Sequence, residues 1–412
     1  MSQVDYTETI YINPNMKFSY FLQAYSLTIM PSIILGYIVA ESYQIDYRAF
    51  HIAGKSVLMG IDPYLNYVND YPELYAPLNA ENHAYSAFRY PPFAAFLFIP
   101  FALFNYEISR ILFSIFILGI FYVLAWRVLH KSATTDTQLL SIILVLFSFP
   151  IAATFQRGQV DLLLVYLAYL SFELMNHHKL ANYSPVLLAL ATILKIFPGF
   201  LAIYFLLKRK FRSFGLFCGS VIILYLLPMP FQGKDVFDNF WKRTFPRIFG
   251  EITSSIAISV YDQKAVFFGS GNFVQAIEGN GKVPDRDYVG GGMNFLLKDQ
   301  DLLALFIGCI IFLLIFYMLR KQDEQYRFLA LMNTINIFNP LAWLMGVVWY
   351  IPFFLTYFPK ASNLWRGLML LPLFFAPSLN SNAYLAVIIP VVYGVWFRGR
   401  SSENILVSSR QF

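Results

Sequence analysis

Between Lys17 and Glu41 the chain carries no charged side chain from Phe18 to Ala40. A segment of that length crosses the roughly 30 Å of hydrocarbon in a bilayer. There it has to be helical, because lipid offers its backbone groups no hydrogen-bond partner. The residues before it lack the basic stretch and short apolar core of a cleavable signal, so it is expected to remain as the first helix. Eleven further apolar runs follow, at about 91 to 105, 107 to 130, 138 to 155, 159 to 176, 183 to 207, 211 to 231, 301 to 320, 325 to 340, 342 to 358, 363 to 377 and 382 to 397. Several fall short of the roughly 17 residues of a full span, and 91 to 105, 325 to 340 and 363 to 377 are expected to be re-entrant, broken or partly buried. The expectation is an all-α polytopic membrane protein with 10–12 transmembrane helices, residues 1 to 412 forming a single integral membrane domain.

Composition agrees. Hydrophobic residues make up 58% and charged residues 13% of the 412, where soluble chains average about 45–50% and about 25%. Too little polar surface remains for a soluble enzyme of several domains. The 19% aromatic content suits lipid-facing helices with interfacial tyrosines. The net charge of +6 reads as cytoplasmic loop charge, which sets aside a nucleic-acid partner. Cys218 and Cys309 both lie inside apolar runs, as packing residues rather than a disulfide or metal pair.

Orientation follows from the basic loops. Lys208, Arg209, Lys210 and Arg212 form one cluster, Arg320, Lys321 and Arg327 a second, and Arg398, Arg400 and Arg410 the tail. With both termini cytoplasmic all three clusters fall inside. The two long polar segments, 41–90 and 231–300, then face outward together as extracytoplasmic loops. Transporters place polar groups at the bilayer midplane between repeated halves. This chain shows no internal repeat and collects its polarity on one face, which points to chemistry at the membrane surface on a substrate delivered from lipid.

The first loop opens with DYRAFHIAGKSVLMGIDPY, Asp46 to Tyr64. Its apolar spacing predicts an amphipathic helix on the membrane over 47–59, ended by Gly60. Asp46, at the start of that helix, is either its N-cap or a carboxylate placed at the membrane boundary to take a proton from an acceptor hydroxyl. The loop closes with RYPPF, where Tyr90 lies at interfacial depth and Arg89 is either a lipid-phosphate ligand or an interfacial anchor. In FQRGQVDLLLVYL, Arg157, Gln159 and Asp161 stand at the mouth of a span, and Arg157 is near enough in sequence to pair with Asp161. Lys195 lies well inside an apolar segment, with an anionic lipid head group or Asp161 as its natural partner. In the second loop, Lys242, Arg243 and Arg247 form a basic-aromatic stretch that can dock a phosphate, a carbohydrate or anionic lipid, while DRDY, Asp285 to Tyr288, reads as a solvated turn rather than a metal site.

The succession DYRAFHIAGKSVLMGIDPY, YPPF, RGQVDLL and LKIFP followed by a basic loop resembles glycosyltransferase family 87, over roughly residues 40 to 215. The resemblance implies a GT-C fold and a mannosyltransferase-like enzyme of cell-envelope glycan biosynthesis in the bacterial inner membrane, with its active site on the extracytoplasmic face. It further implies a polyprenyl-phosphate sugar as donor and a lipid or glycan as acceptor. Asp46 matches the family's proposed catalytic base and Lys195 its membrane lysine, while Asp161 stands where an asparagine is usual. Binding of the donor phosphate and substrate is expected from Arg48, His51, Arg89, Tyr90, Arg157, Gln159, Asp161, Lys195 and Arg243. Fixed cations can match the charge of a phosphate leaving group, so the reaction is expected to need no metal or other cofactor. The second half departs from the pattern. Where the family often has a histidine after Pro-x-x-Trp, NPLAWLMG has Met345 and Gly346, which leaves His51 or His83 to assist Asp46, or none. The alternatives are a lipid-linked glycan flippase or transporter, with Arg157, Asp161 and Lys195 lining a path, and a polysaccharide polymerase.

Overall fold

The computed structural model describes residues 22–23, 25–40, 44–65, 70–75, 88–129, 136–245, 301–338, 344–375 and 379–408. Among them there is helix and no strand, and the protein is an all-α polytopic membrane protein. The expectations for His83, for DRDY, for Arg247 and for Asn339 to Trp343 lie outside the described residues.

A one-turn π-helix, Tyr25–Ile29, leads into α1, Met30–Ala40. Met30, Ile34 and Ile38 face inward, while Ile33, Tyr37 and Val39 are exposed. After α1 come α2 (Ile45–Met59), the short α3 (Pro92–Leu97) and α4 (Ile99–Ala102), and α5 (Tyr106–Leu129). α5 buries Phe113, Ile117, Phe121 and Leu124 and exposes Leu112, Phe116, Val123 and Trp126. A helix that is apolar on its outer as well as its inner face is a membrane helix, because in water the outer face would carry charge.

α6 (Asp136–Leu146) and α7 (Phe149–Arg157) are bent by 46° at the break between them, as a broken span or a re-entrant pair is. Then come α8 (Asp161–Met175), α9 (Tyr183–Leu194), a 3-10 stretch over Phe197–Ala202 with α10 (Ile203–Leu207), and α11 (Phe211–Leu226). The run expected at 183–207 is therefore broken. Lys195 is extended, with φ −157° and ψ 123°, and Pro198 beyond it has no N–H to continue an α-helical ladder. The short run at 91–105 is likewise split, into α3 and α4, and that at 325–340 into α15 (Glu324–Met332) and α16 (Ile335–Phe338). Between these come α12 (Met229–Gln232), α13 (Lys234–Asn239) and α14 (Asp301–Met318). The chain ends through α17 (Ile351–Tyr357), α18 (Asn363–Phe374) and α19 (Leu379–Ser408). Among the described residues two helices are long and apolar enough to cross a membrane, Tyr106–Leu129 and Phe211–Gln232. The bent pair is a third where its two helices count as one span, and five apolar helices are shorter.

Contacts at the helix ends sort them into two layers. At one end Gln44 and Tyr106 bond each other, joining the starts of α2 and α5. At the opposite end Arg127 of α5 pairs with Glu173 of α8 at 3.0 Å. Beside it Lys208, just past α10, pairs with Glu324 of α15 at 2.8 Å, and Asn176 donates to the same carboxylate. The two basic loops thus lie together, about 22 Å from Asp161 along the 15 residues of α8. The two long polar segments also meet, because Asn239 of the second donates to Asp62 of the first at 2.6 Å.

Candidate active site

α2 begins at Gln44, which is its N-cap, so Asp46 is the second helical residue and not the cap. There its carboxylate meets the positive end of the helix dipole. Gln44 fixes the start of the helix: its Nε2 donates to the Phe155 carbonyl and to Ser114 Oγ. Tyr47, fully buried, bonds Ser109 of α5. α2 ends where expected, at Gly60, whose φ of 68° is the left-handed conformation that closes a helix. It does not rest on a surface as an amphipathic helix would: Asp46 to Ala53 are all buried against α4, α5 and α7.

The partner of Asp46 comes from the other side of a tight contact. α7 ends at Arg157, and Gly158 follows with a φ of 69°. A Cβ on Gly158 would stand 2.3 Å from the Tyr47 Cβ, so only glycine lets this turn touch α2. The approach sets Arg157 and Gln159 on either side of Asp46. Arg157 Nε donates to Oδ2 at 2.5 Å and Nη2 to Oδ1 at 2.9 Å, a bidentate pair, and Gln159 Nε2 donates to Oδ2 at 2.6 Å. The sequence placed Arg157 beside Asp161. That pairing is corrected here, for the left-handed turn at Gly158 sends the two side chains to different partners.

Asp161, at the start of α8 and 1% exposed, pairs with Lys195 instead. Lys195 Nζ donates to both carboxylate oxygens, at 3.0 and 2.9 Å. The extended backbone at Lys195 releases the side chain from the end of α9 to make this contact. Tyr90 joins the two ion pairs: its hydroxyl interacts with Asp46, Asp161, Gln159 and Arg89. Burial first, then the two carboxylates, push that hydroxyl well above the ordinary tyrosine range, so it stays protonated and able to donate. Gln159 Oε1 is buried without a hydrogen-bond partner among the described residues, an acceptor waiting for an O–H or N–H donor.

The other expected residues lie apart. Arg48 is buried with its guanidinium 5.0 Å from the Tyr106 ring. His51 Nε2 donates to the Phe104 carbonyl at 3.2 Å. Burial lowers the His51 pKa to about 4, opposed by that hydrogen bond and reinforced by Lys55 and Arg48. At neutral pH it is uncharged and committed to a carbonyl, whereas Asp46 is held by Arg157 and Gln159. Arg89 is half-buried beside Tyr90. The side chain of Arg243, in the π-helix Phe240–Thr244, is outside the described residues. Sequence reasoning passed over Gln44, Asp62 and Asn239. Only Asp62 had a signal, the Asp-Pro-Tyr turn in which its Oδ1 accepts from the Tyr64 N–H.

The arrangement gives a buried carboxylate with fixed orientation, a second carboxylate sharing a lysine, a protonated phenol and an unmet acceptor, all within one membrane end. The model of glycosyltransferase family 87 matches residues 88–346, more than half of the chain. That match takes in Tyr90, Arg157, Gln159, Asp161 and Lys195 and begins after Asp46. No curated protein and no solved structure matches.

Proposed function

The chain belongs to glycosyltransferase family 87, and from that premise we propose that it moves a hexose, mannose in the first instance, from a polyprenyl-phosphate donor to a lipid or glycan acceptor. The transfer takes place at the outer face of the bacterial inner membrane, with inversion at the anomeric carbon. The observation that carries this reading is the carboxylate of Asp46, fixed by Arg157 and Gln159 next to the Asp161–Lys195 pair.

In this mechanism the acceptor O–H donates to Asp46 Oδ1. Arg157 Nη2 donates to that oxygen, and a carboxylate oxygen has a second lone pair for the hydroxyl. As the acceptor oxygen attacks the anomeric carbon, its proton passes to Asp46. The bond from that carbon to the phosphate oxygen breaks and polyprenyl phosphate leaves with the electron pair. Two of the three Lys195 donors are spent on Asp161, and the third serves the leaving phosphate. Arg89 supplies further positive charge, and no metal is required for a phosphate leaving group so matched. The open Oε1 of Gln159 accepts from a sugar hydroxyl.

Membranes containing the protein, incubated with radiolabelled polyprenyl-phosphate mannose, are expected to yield a labelled product that Asp46→Asn abolishes at unchanged protein level. Transfer by Asp46→Asn near the wild-type rate would remove Asp46 as the base. Addition of EDTA is expected to leave the rate unchanged, and its loss would show a metal requirement.

A further inference from the structure

The Asp-Pro-Tyr turn after α2 is not used in the mechanism above, yet it ties the two polar segments together next to the site. Asp62 Oδ1 accepts from the Tyr64 N–H at 2.8 Å, which fixes the carboxylate, and Oδ2 accepts from Asn239 Nδ2 at 2.6 Å, a contact across 177 residues. Tyr64, held by this turn, donates its hydroxyl to the Tyr90 carbonyl at 2.6 Å. Its ring centroid lies 5.6 Å from that of Phe88 and 5.6 Å from that of Phe240. Tyr90 in turn packs on Phe50 of α2 and faces Asp46, Asp161 and Gln159 with its hydroxyl.

The segment that Asn239 belongs to is one-sided. Val236, Phe237 and Phe240 are buried, whereas Trp241 is exposed and the Asp238–Lys242 pair lies on the outside. This start of the second loop is therefore a wall with an apolar back seated on Tyr64 and a polar and aromatic front. Asp62–Asn239 is a charge-assisted bond holding the wall to the turn that carries Tyr64 and, through it, Tyr90.

We propose that Asp62 is a positioning residue for the acceptor: by holding Asn239 it seats the wall formed by the start of the second loop, so that the acceptor is presented to Asp46 between the two loops. This rests on the reading of Asp46 as base in glycosyl transfer. Lys195, the principal ligand of the donor phosphate, is no part of the latch and keeps its place on Asp161, so loss of the latch slows transfer without weakening donor binding.

The test uses the full chain in membranes, with radiolabelled polyprenyl-phosphate mannose varied in concentration and rates normalised to folded enzyme. Asn239→Asp sets two carboxylates against each other and is expected to lower the apparent kcat on the order of tenfold or more, with donor KM within about twofold of wild type. Adding Asp62→Asn reverses the donor and acceptor of the same bond, since the new amide donates to the new carboxylate while its oxygen still accepts from Tyr64. The double variant Asp62→Asn/Asn239→Asp is expected to return to within about threefold of wild type. Tyr64→Phe, which keeps the ring packing and removes only the bond to the Tyr90 carbonyl, is expected to lower kcat in the same direction. An unchanged kcat in Asn239→Asp, a raised donor KM, or a double variant no better than the single overturns the latch. Asp46→Asn run in parallel separates the two readings. If it stays active the base assignment falls, and if it is inactive while the latch variants fail only the latch falls.

Discussion

Lys195 and Asp161 show how a residue can be both structural and chemical. Asp161 is 2% and Lys195 19% exposed at the side chain, so removing either leaves an uncompensated charge in a poorly hydrated place. Lys195→Met is expected to destabilise the protein by about 3–5 kcal/mol, the usual cost of breaking a buried pair, and the double variant with Asp161→Asn to recover most of it. Thermal unfolding in detergent micelles measures both. Asp161→Asn alone frees all of the lysine's charge for phosphate, and under the proposed mechanism it lowers donor KM by roughly threefold to tenfold. A raised donor KM would argue that Asp161 itself touches the donor. This pair was legible in part, because a lysine inside an apolar run requires an anion, and the sequence offered Asp161 or a lipid head group. The Arg157–Asp46 pair was not, for the two residues are 111 positions apart and nothing local distinguishes Asp161 from Asp46 as the arginine's partner.

At the level of elements, the contact between α2 and the turn after α7 holds the site, and a missing side chain makes it possible. Gly158→Ala adds a methyl 2.3 Å from the Tyr47 Cβ at a backbone conformation that alanine disfavours. The expected cost is at least ~2 kcal/mol. Activity is expected to fall further than stability, because the turn can relieve the clash only by carrying Arg157 and Gln159 away from Asp46. Transfer measured below the unfolding temperature separates the two, and wild-type activity there would show that the turn does not set the carboxylate. The sequence marked the end of α2 well, since Gly60 is an ordinary helix terminator. It marked the break at Lys195 poorly, for continuous hydrophobicity hides a non-helical residue unless its carbonyls and side chain are known to have other work. The expectation of a surface helix also failed for a physical reason. Periodicity records which face is apolar but not that Arg48 and His51, on the polar face, find an aromatic ring and a carbonyl to bury against.

Across the whole molecule, the ion pair of Lys208 with Glu324 draws the loop after α10 to the start of α15, with Asn176 and Tyr204 bonding the same carboxylate. Burial raises the Glu324 pKa, but Lys208, Asn176 and Lys210 outweigh it and the net direction is down from 4.5. Its stabilising contribution is therefore present above 4.5 and lost as pH falls through the lower folded value. Glu324→Gln is expected to lower the unfolding temperature by roughly 1–2 °C at pH 7, with the gap to wild type closing on acidification. A gap that persists in acid would mean that the carboxylate's charge is not what joins these segments. The grouping of basic loops at one end and polar segments at the other was legible from charge alone. The bond between Asp62 and Asn239 was not, because hydrogen-bonding residues in long loops have no spacing rule to identify a distant partner.

The depth of Asp46 has a consequence for side reactions. With the Asp46 side chain 9% exposed and flanked by Arg157, Gln159 and α2, few solvent molecules can take the position of an acceptor hydroxyl. Under the proposed mechanism, an activated sugar waiting at this site is protected from hydrolysis until an acceptor fills the same narrow approach. The enzyme would then hold its donor intact through long intervals without an acceptor, and release of free sugar would remain slow even when the donor is saturating.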